Sequence, residues 1–283
     1  MSDKDAKKGA LYIVATPIGN LEDITLRAIR VLKEVHLIAA EDTRRTRTLL
    51  RAYQIQTPLT SLYDQNERKK SGFLIAKMAD GMDIAYVSDA GTPGISDPGY
   101  MLIRQAIEEE IRVIPIPGVS AVIAALSVSG LPMETFVFHG FLPSKSRQKK
   151  TFLQSIESEE KTLVFYESPK RLISTLQDMQ NVFGNREIVV LREMTKVFEE
   201  ILRGTIQNLL DELNGRAIKG EVTLLVSGRD LTPREYRDDE IRSRFEKLLK
   251  ETDLSRRDII GKLTQELGLS RTRIYRVANL LFP

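Results

Sequence analysis

The stretch Ile84-Ala85-Tyr86-Val87-Ser88-Asp89-Ala90-Gly91-Thr92-Pro93-Gly94-Ile95-Ser96-Asp97-Pro98-Gly99 decides the fold. Its first four residues read as a short apolar strand. The twelve from Ser88 on hold three glycines and two prolines, a turn signal, and a helix is expected over Tyr100 to Glu109. A buried strand that runs into a long loop and then a helix belongs to a parallel sheet, where ligands sit beyond the carboxyl ends of the strands. Glycines allow a ligand close to the backbone there, and prolines hold the loop in one shape. An ordinary connection capping the next helix is the alternative, although ordered loops of this length in compact domains are usually functional.

The same pattern extends to both sides. Leu11 to Ala15 reads as a strand stopped by Thr16-Pro17-Ile18-Gly19-Asn20. Leu26, Ile29, Arg30 and Lys33 keep a helical register with Val31 and Leu32 on the buried side, and Leu37 to Ala40 returns to a strand. Val113 to Ile116 precedes Pro117-Gly118-Val119-Ser120 and an alanine-rich helix, and Ser120 either caps that helix or meets a ligand. The first half therefore predicts a largely parallel sheet covered on both faces.

Gly130-Leu131-Pro132 breaks the pattern, and a second series follows. Strands are expected at Phe136 to Phe138, Thr162 to Tyr166, Ile188 to Leu191, Ile201 to Arg203 and Val222 to Val226. The intervening helices are expected over Arg147 to Ile156, Lys170 to Val182 and the segment ending at Leu213. The expected organisation is a disordered N-terminus (1–8), an N-terminal α/β domain (9–131), a C-terminal α/β domain (132–228), and a linker with a helical region (229–283). The fold class is α/β, two α/β domains with an interdomain cleft.

Charge is concentrated at the end of the chain. Residues 229–283 hold 13 Lys and Arg against 10 Asp and Glu, while residues 1–228 balance at 29 against 29. Ser255-Arg256-Arg257-Asp258 opens a helix carrying Ile259, Ile260, Leu263 and Leu267; Gly268-Leu269-Ser270 then leads to a helix with Ile274, Val277 and Ala278. Helix, glycine turn and capped helix is a helix-turn-helix pattern.

Several chemistries are excluded. The chain has no cysteine and two histidines, so disulfides and thiolate chemistry are impossible. His36 and His139 lie in apolar runs and read as hydrogen-bonded structural residues, so no metal site is expected. No phosphate-binding Gly-x-x-x-x-Gly-Lys-Ser/Thr and no Gly-x-Gly-x-x-Gly motif occurs. Without a signal peptide or an apolar stretch of membrane-spanning length, a soluble cytoplasmic protein is expected.

Six collinear motifs carry a resemblance: Ala15 to Thr25, Ala40-Glu41-Asp42-Thr43-Arg44, Ser88 to Gly99, Pro115 to Ala121, Phe165-Tyr166-Glu167-Ser168-Pro169, and Arg192-Glu193-Met194-Thr195-Lys196. In order and spacing, from residue 9 onward, the chain resembles the ribosomal RNA small subunit methyltransferase I family, which has the tetrapyrrole-methylase-like fold. One departure is Lys170, where that family commonly has histidine; Arg171 is kept.

The resemblance implies S-adenosylmethionine as cofactor, a cytidine 2′-hydroxyl near the decoding centre of 16S ribosomal RNA as acceptor, and a homodimer. It further implies that Pro17, Asp89, Ala90, Gly91, Thr92, Ile95, Pro117, Ser120 and Ala121 border the cofactor. From the second domain it adds Tyr166, Thr195 and Thr223.

A ribose hydroxyl is a weak nucleophile, so a base or polarising group is expected beside it. Glu193 with Lys196, Glu167, and Asp42 with Arg44 are the candidates, and each reads equally as a structural ion pair. For contacts to RNA, the run Pro143 to Lys150 supplies Lys145, Arg147, Lys149 and Lys150 without an acid; Arg44, Arg45, Arg171, Arg271 and Arg273 join them. A solvated helix start is the alternative for that run. Two rival functions stand beside RNA methylation: a small-molecule, tetrapyrrole-type methyltransferase, for which the basic tail has no evident use, and a nucleic-acid-binding regulator that only senses a ligand.

Overall fold

A computed structural model describes residues 8–230, 236–252, 254–267 and 269–279 of the chain. Residues 1–7 of the expected disordered stretch 1–8, the linker 231–235 and the turn residue Gly268 lie outside the described residues. The chain divides into two compact units, the first ending at Arg229 and the second beginning at Asp230.

The first unit opens with a five-stranded sheet in the order β3-β2-β4-β1-β5. Its strands are β1 (Ala10–Val14), β2 (Leu37–Ala40), β3 (Leu59–Ser61), β4 (Ile84–Val87) and β5 (Arg112–Ile116). Every pairing is parallel, as the continuous apolar strands predict. The helices are α1 (Leu26–Glu34), α2 (Thr43–Ala52), α3 (Glu67–Ala79) and α4 (Tyr100–Glu108).

Side chains alternate along each strand, so β4 sends Ala85 and Val87 to one face and Ile84 and Tyr86 to the other. The first pair packs with Val31, Leu32, Leu49 and Leu50 of α1 and α2. The second packs with Leu74, Met78, Leu102 and Ala106 of α3 and α4. Both faces are thus covered, and the sheet's carboxyl edge is the edge left for a ligand. Leu26, read as part of the helical register, is 86% exposed, while Ala28, Val31 and Leu32 are buried and Ile29 packs against the same core.

The second sheet has the order β6-β7-β10-β8-β9. Its strands are β6 (Phe136–Phe141), β7 (Thr162–Glu167), β8 (Glu187–Arg192), β9 (Glu200–Thr205) and β10 (Val222–Val226). Only β6 and β7 run parallel; β10 is antiparallel to β7 and β8, and β8 to β9. One face is covered by α6 (Ser146–Ser155), α7 (Leu172–Phe183) and α8 (Ile206–Leu213). The other face receives α5 (Ala121–Ser129), whose Val122, Ala125 and Leu126 pack on Val164, Val189, Leu191 and Leu225. A helix that precedes the Gly130 break in sequence therefore packs on the sheet that follows it. Its other side leaves Ile123 and Val128 exposed.

The second unit has three helices among the described residues, α9 (Asp238–Glu251), α10 (Arg256–Leu267) and α11 (Arg271–Asn279). They close around Ile241, Phe245, Ile259, Leu263, Ile274 and Val277. Ser255 Oγ accepts from Asp258 N at 3.3 Å and Ser270 Oγ from Arg273 N at 3.3 Å, the caps expected at these starts. No helix among the described residues is long and apolar enough to cross a membrane.

Candidate active site

The loop after β4 is folded back onto the sheet edge at several points. Gly91 and Thr16 exchange two backbone hydrogen bonds of 2.9 Å, which joins the loops after β1 and β4. Gly91 has φ of +77°, a conformation that costs a side-chain-bearing residue about 1–2 kcal/mol. The Tyr86 hydroxyl donates to Pro98 O at 2.7 Å, and Glu67 Oε1 accepts from Gly99 N at 2.8 Å and Met101 N at 2.9 Å. The far end of the loop is thereby fixed to β4 and α3. At the neighbouring edge, Glu41 Oε2 accepts from Asp89 N at 3.2 Å and Asp89 Oδ1 from Asp42 N at 3.0 Å.

Across from this loop stand β6, β7 and β10. Between them lies a cleft with about 860 Å³ of empty space, counting its open mouth. The first sheet contributes Ile18, Ala90, Gly91, Thr92, Ile95, Ser96, Asp97, Ser120 and Ala121. The second contributes Phe141, Tyr166, Glu167, Met194, Glu221, Val222 and Thr223. Tyr166 is held edge-on by Phe138, with ring centroids 5.0 Å apart, and touches Phe141 at 5.5 Å. Burial is the main cause that pushes its phenol up to about 12.

Ser120 makes no side-chain cap to α5 and lines the cleft. Eight of the residues expected to border a cofactor meet here: Ala90, Gly91, Thr92, Ile95, Ser120, Ala121, Tyr166 and Thr223. Pro17 and Asp89 line an adjoining groove instead, with Arg45 and Lys196. Pro117 lines neither. Thr195 is turned away: its Oγ1 accepts from Asn20 N at 3.0 Å.

The segment 193–199 clasps the first loop. Glu193 and Thr195 have φ of +52° and +64°, uncommon for residues with side chains. Glu193 Oε1 accepts from Lys196 Nζ at 2.9 Å and from Glu221 N at 3.0 Å, and Lys196 also pairs with Glu221 at 3.1 Å. The Lys196 bond is the largest cause holding the Glu193 carboxyl below its usual value. A Cβ on Gly19 would lie 2.5 Å from Lys196 Cγ, so only glycine fits against the clasp.

The other candidate bases are equally engaged. Glu167 is buried and accepts from Ser168 N at 2.6 Å, Arg171 Nε at 2.7 Å and Thr175 Oγ1 at 2.7 Å. Asp42 accepts from the Arg44 backbone and guanidinium at 2.8 and 2.7 Å, which holds its carboxyl far below the usual range. Each of the four thus sits in an ion pair or cap.

Among the basic residues, Lys149 departs from the RNA-contact expectation. It is 5% exposed, 2.9 Å from Asp178 and 3.1 Å from Thr175 Oγ1, on the face of α6 that packs on α7. A helix that starts in solvent still turns one side inward, and Lys149 falls on that side with Leu153. Arg273 is likewise occupied, donating to Tyr236 O at 2.7 Å. Arg171 is held by Glu167 and by Leu142 O at 3.1 Å. Arg44 and Arg45 pair with Asp42 and Asp89 at 2.7 and 3.3 Å. Lys145 and Arg147 are exposed, as is Lys150, 3.8 Å from Asp178. Arg271 lines a groove of the second unit with Arg256, Arg257 and Tyr275.

The histidines divide. His36 Nδ1 accepts from Asp83 N at 3.0 Å, whereas His139 Nε2 is buried without a hydrogen-bond partner and its ring stacks on Phe165 at 5.3 Å. His139 is therefore an apolar packing residue rather than a hydrogen-bonded one.

Ile18, Ser96, Asp97, Phe141, Met194, Glu221 and Val222 enter the cleft without having been singled out in the sequence. Ser96 and Asp97 lie in the opening loop, and Ile18 and Met194 in recognised motifs, so motif membership was a usable signal. Phe141 carries none, because β6 is irregular between Phe138 and Gly140 and its facing pattern breaks there.

Residues 10–210 match the family model of tetrapyrrole (corrin/porphyrin) methylases. Ribosomal RNA small subunit methyltransferase I of Halalkalibacterium halodurans is 52% identical over 78% of this chain and 76% of its own. The protein of the same name from Escherichia coli O157:H7 is 43% identical over 97% of this chain and 96% of its own. Among solved structures, uroporphyrin-III C-methyltransferase from Thermus thermophilus, complexed with S-adenosylhomocysteine, has the same fold, with a TM-score of 0.56 at 16% identity. That match covers 77% of this chain and 97% of the other.

Proposed function

This chain belongs to the tetrapyrrole methylases and, within them, to the ribosomal RNA small subunit methyltransferase I family, and from that membership we propose its reaction. It transfers the methyl group of S-adenosylmethionine to the 2′-hydroxyl of a cytidine in 16S ribosomal RNA, near the decoding centre. One observation carries the choice of acceptor: 43% identity to an RNA-methyltransferase relative extends over 97% of this chain. The uroporphyrin enzyme covers 77% of it at 16% identity, so the tetrapyrrole-type reading is not favoured. Nor is the regulator reading, since the relatives are named as methyltransferases.

The cleft suits the cofactor. Gly91 and its neighbours offer backbone, Ile18, Ile95 and Phe141 offer apolar surface, Ser120 and Thr223 offer hydroxyls, and Glu221 offers a carboxylate toward a cationic ligand. Bound there, S-adenosylmethionine supplies a methyl already activated by the sulfonium. The loops after β1, β4 and β5 orient and enclose the reactants, and such positioning lowers the barrier without bond-making by the protein. Lys145, Arg147 and Lys150 are exposed for phosphate, and so is Arg271 in the second unit.

The enzyme acts in the cytoplasm as a homodimer. Val197 and Phe198, 93% and 73% exposed beside the clasp, are suited to burial against a second copy. Light scattering of the purified protein at a monomer mass would remove that part.

Tritiated methyl transfer to small ribosomal subunits and to naked 16S RNA, followed by nucleoside analysis, tests the reaction. The expected product is 2′-O-methylcytidine. Its absence from both substrates, with the cofactor bound, would overturn the reading.

A further inference from the structure

We propose that Asp97 is the general base of the reaction, the carboxylate that takes the proton from the ribose hydroxyl as the oxygen attacks the methyl. This rests on the reading of a ribose hydroxyl as acceptor.

Four ionisable side chains line the cleft: Asp97, Tyr166, Glu167 and Glu221. Three are poorly placed to receive a proton. Glu167 already accepts three hydrogen bonds from Ser168, Arg171 and Thr175. Glu221 is ion-paired with Lys196 at 3.1 Å. The Tyr166 phenol is protonated at neutral pH, being raised to about 12. Asp97 is the remaining carboxylate, and among the described residues no cation pairs with it.

Its backbone is fixed on both sides. Ser96 has φ of +65°, a strained conformation of the kind concentrated at functional sites. A Cβ on Gly140 of β6 would lie 2.9 Å from Ser96 Oγ, so the loop presses against the second sheet just before Asp97. Pro98 follows, with its carbonyl held by Tyr86. A base mounted this way loses little freedom when it acts.

The surroundings tune it in the same direction. Burial comes first, opposed by a hydrogen bond from the Ser88 hydroxyl and reinforced by Glu41 after β2, Asp89 after β4 and Asp64 after β3. Arg45, the guanidinium near these acids, is paired with Asp89. The Asp97 carboxyl is raised to about 6, where a group is mostly ionised at neutral pH yet basic enough to accept a proton. Tyr166 faces it from β7 and carries no charge.

The step balances without further reactants. The O–H bond breaks and its proton goes to Asp97, and an oxygen lone pair forms the new O–C bond. The C–S bond breaks with its electron pair returning to sulfur, which leaves the neutral thioether.

Asp97→Asn tests the assignment. Its kcat should fall by about 10²–10⁴-fold, with S-adenosylmethionine affinity by calorimetry within about threefold. Wild-type kcat/KM should show an acid limb near pH 6 that the variant lacks, and Asp97→Glu should recover at least tenfold over Asn. Independently of any acceptor, cofactor binding at pH 6 should release protons, read as a buffer-dependent calorimetric enthalpy, and Asp97→Asn should abolish that dependence. A variant with kcat within tenfold of wild type overturns the assignment. So does lost cofactor binding, or wild-type binding without proton release. Wild type that methylates neither subunits nor RNA overturns the acceptor instead, and the calorimetric comparison still decides whether Asp97 titrates at the cofactor.

Discussion

At the residue scale, the side chains nearest the cleft separate into those that shape it and those that hold its walls. Gly91 belongs to the first kind. A β-branched residue at φ +77° strains the paired Thr16–Gly91 backbone, so Gly91→Val should weaken S-adenosylmethionine binding at least tenfold by calorimetry while the protein stays folded. Lys149 belongs to the second. Replacing it by alanine leaves Asp178 buried with only Lys150 at 3.8 Å, and breaking such a pair costs about 3–5 kcal/mol. The measurement is thermal: Lys149→Ala should lower Tm by several degrees, whereas Lys145→Ala and Arg147→Ala should leave Tm alone and weaken RNA binding. Asp97 has a signature in stability as well. Its folded value lies above the unfolded one, so its contribution is present below pH 3.8 and lost as pH rises through about 6. Asp97→Asn should therefore raise Tm at pH 8 and give almost no difference at pH 4. Residue type and motif located Asp97's loop, but the burial and neighbouring acids that set its protonation come from strands far apart in sequence.

At the element scale, helix starts show what local chemistry can decide. Thr25 caps α1 through Ala28 N at 3.1 Å, and Thr205 caps α8 through Asn208 N at 3.3 Å. Thr25→Ala should cost about 1 kcal/mol in urea unfolding. Ser120 stands at the equivalent place before α5 but makes no such bond. Ser120→Ala should accordingly leave stability within about 0.5 kcal/mol and reduce cofactor affinity. The sequence leaves capping and ligand contact equally open at Ser120; the choice depends on where its hydroxyl points once α5 docks on the second sheet. Strand direction was open in the same way. Short apolar runs mark β8, β9 and β10 as strands, but whether neighbours run parallel or antiparallel depends on how the connections return.

At the scale of the whole molecule, residues up to 229 and the residues after them form separate compact units, each with its own apolar core. A chain ending at residue 229 should fold and bind S-adenosylmethionine with unchanged affinity. It should bind RNA more weakly and with a shallower salt dependence, since the excess of positive charge is removed; unchanged RNA affinity in a filter-binding titration would make the helical unit dispensable. By itself, the sequence determined the alternation of strands and helices, the doubly covered parallel sheet, the loop at its carboyl edge and the helical tail. All of these follow from periodicity, glycine and proline placement and charge counted along a continuous segment. Only the tertiary structure decided that α5 covers the second sheet, that Lys149 and Glu167 are consumed in buried pairs, and that Asp97 faces the cleft with its proton affinity raised. Those facts depend on distances between segments remote in the chain, and hydrogen-bond partners and desolvation exist only once those segments have packed.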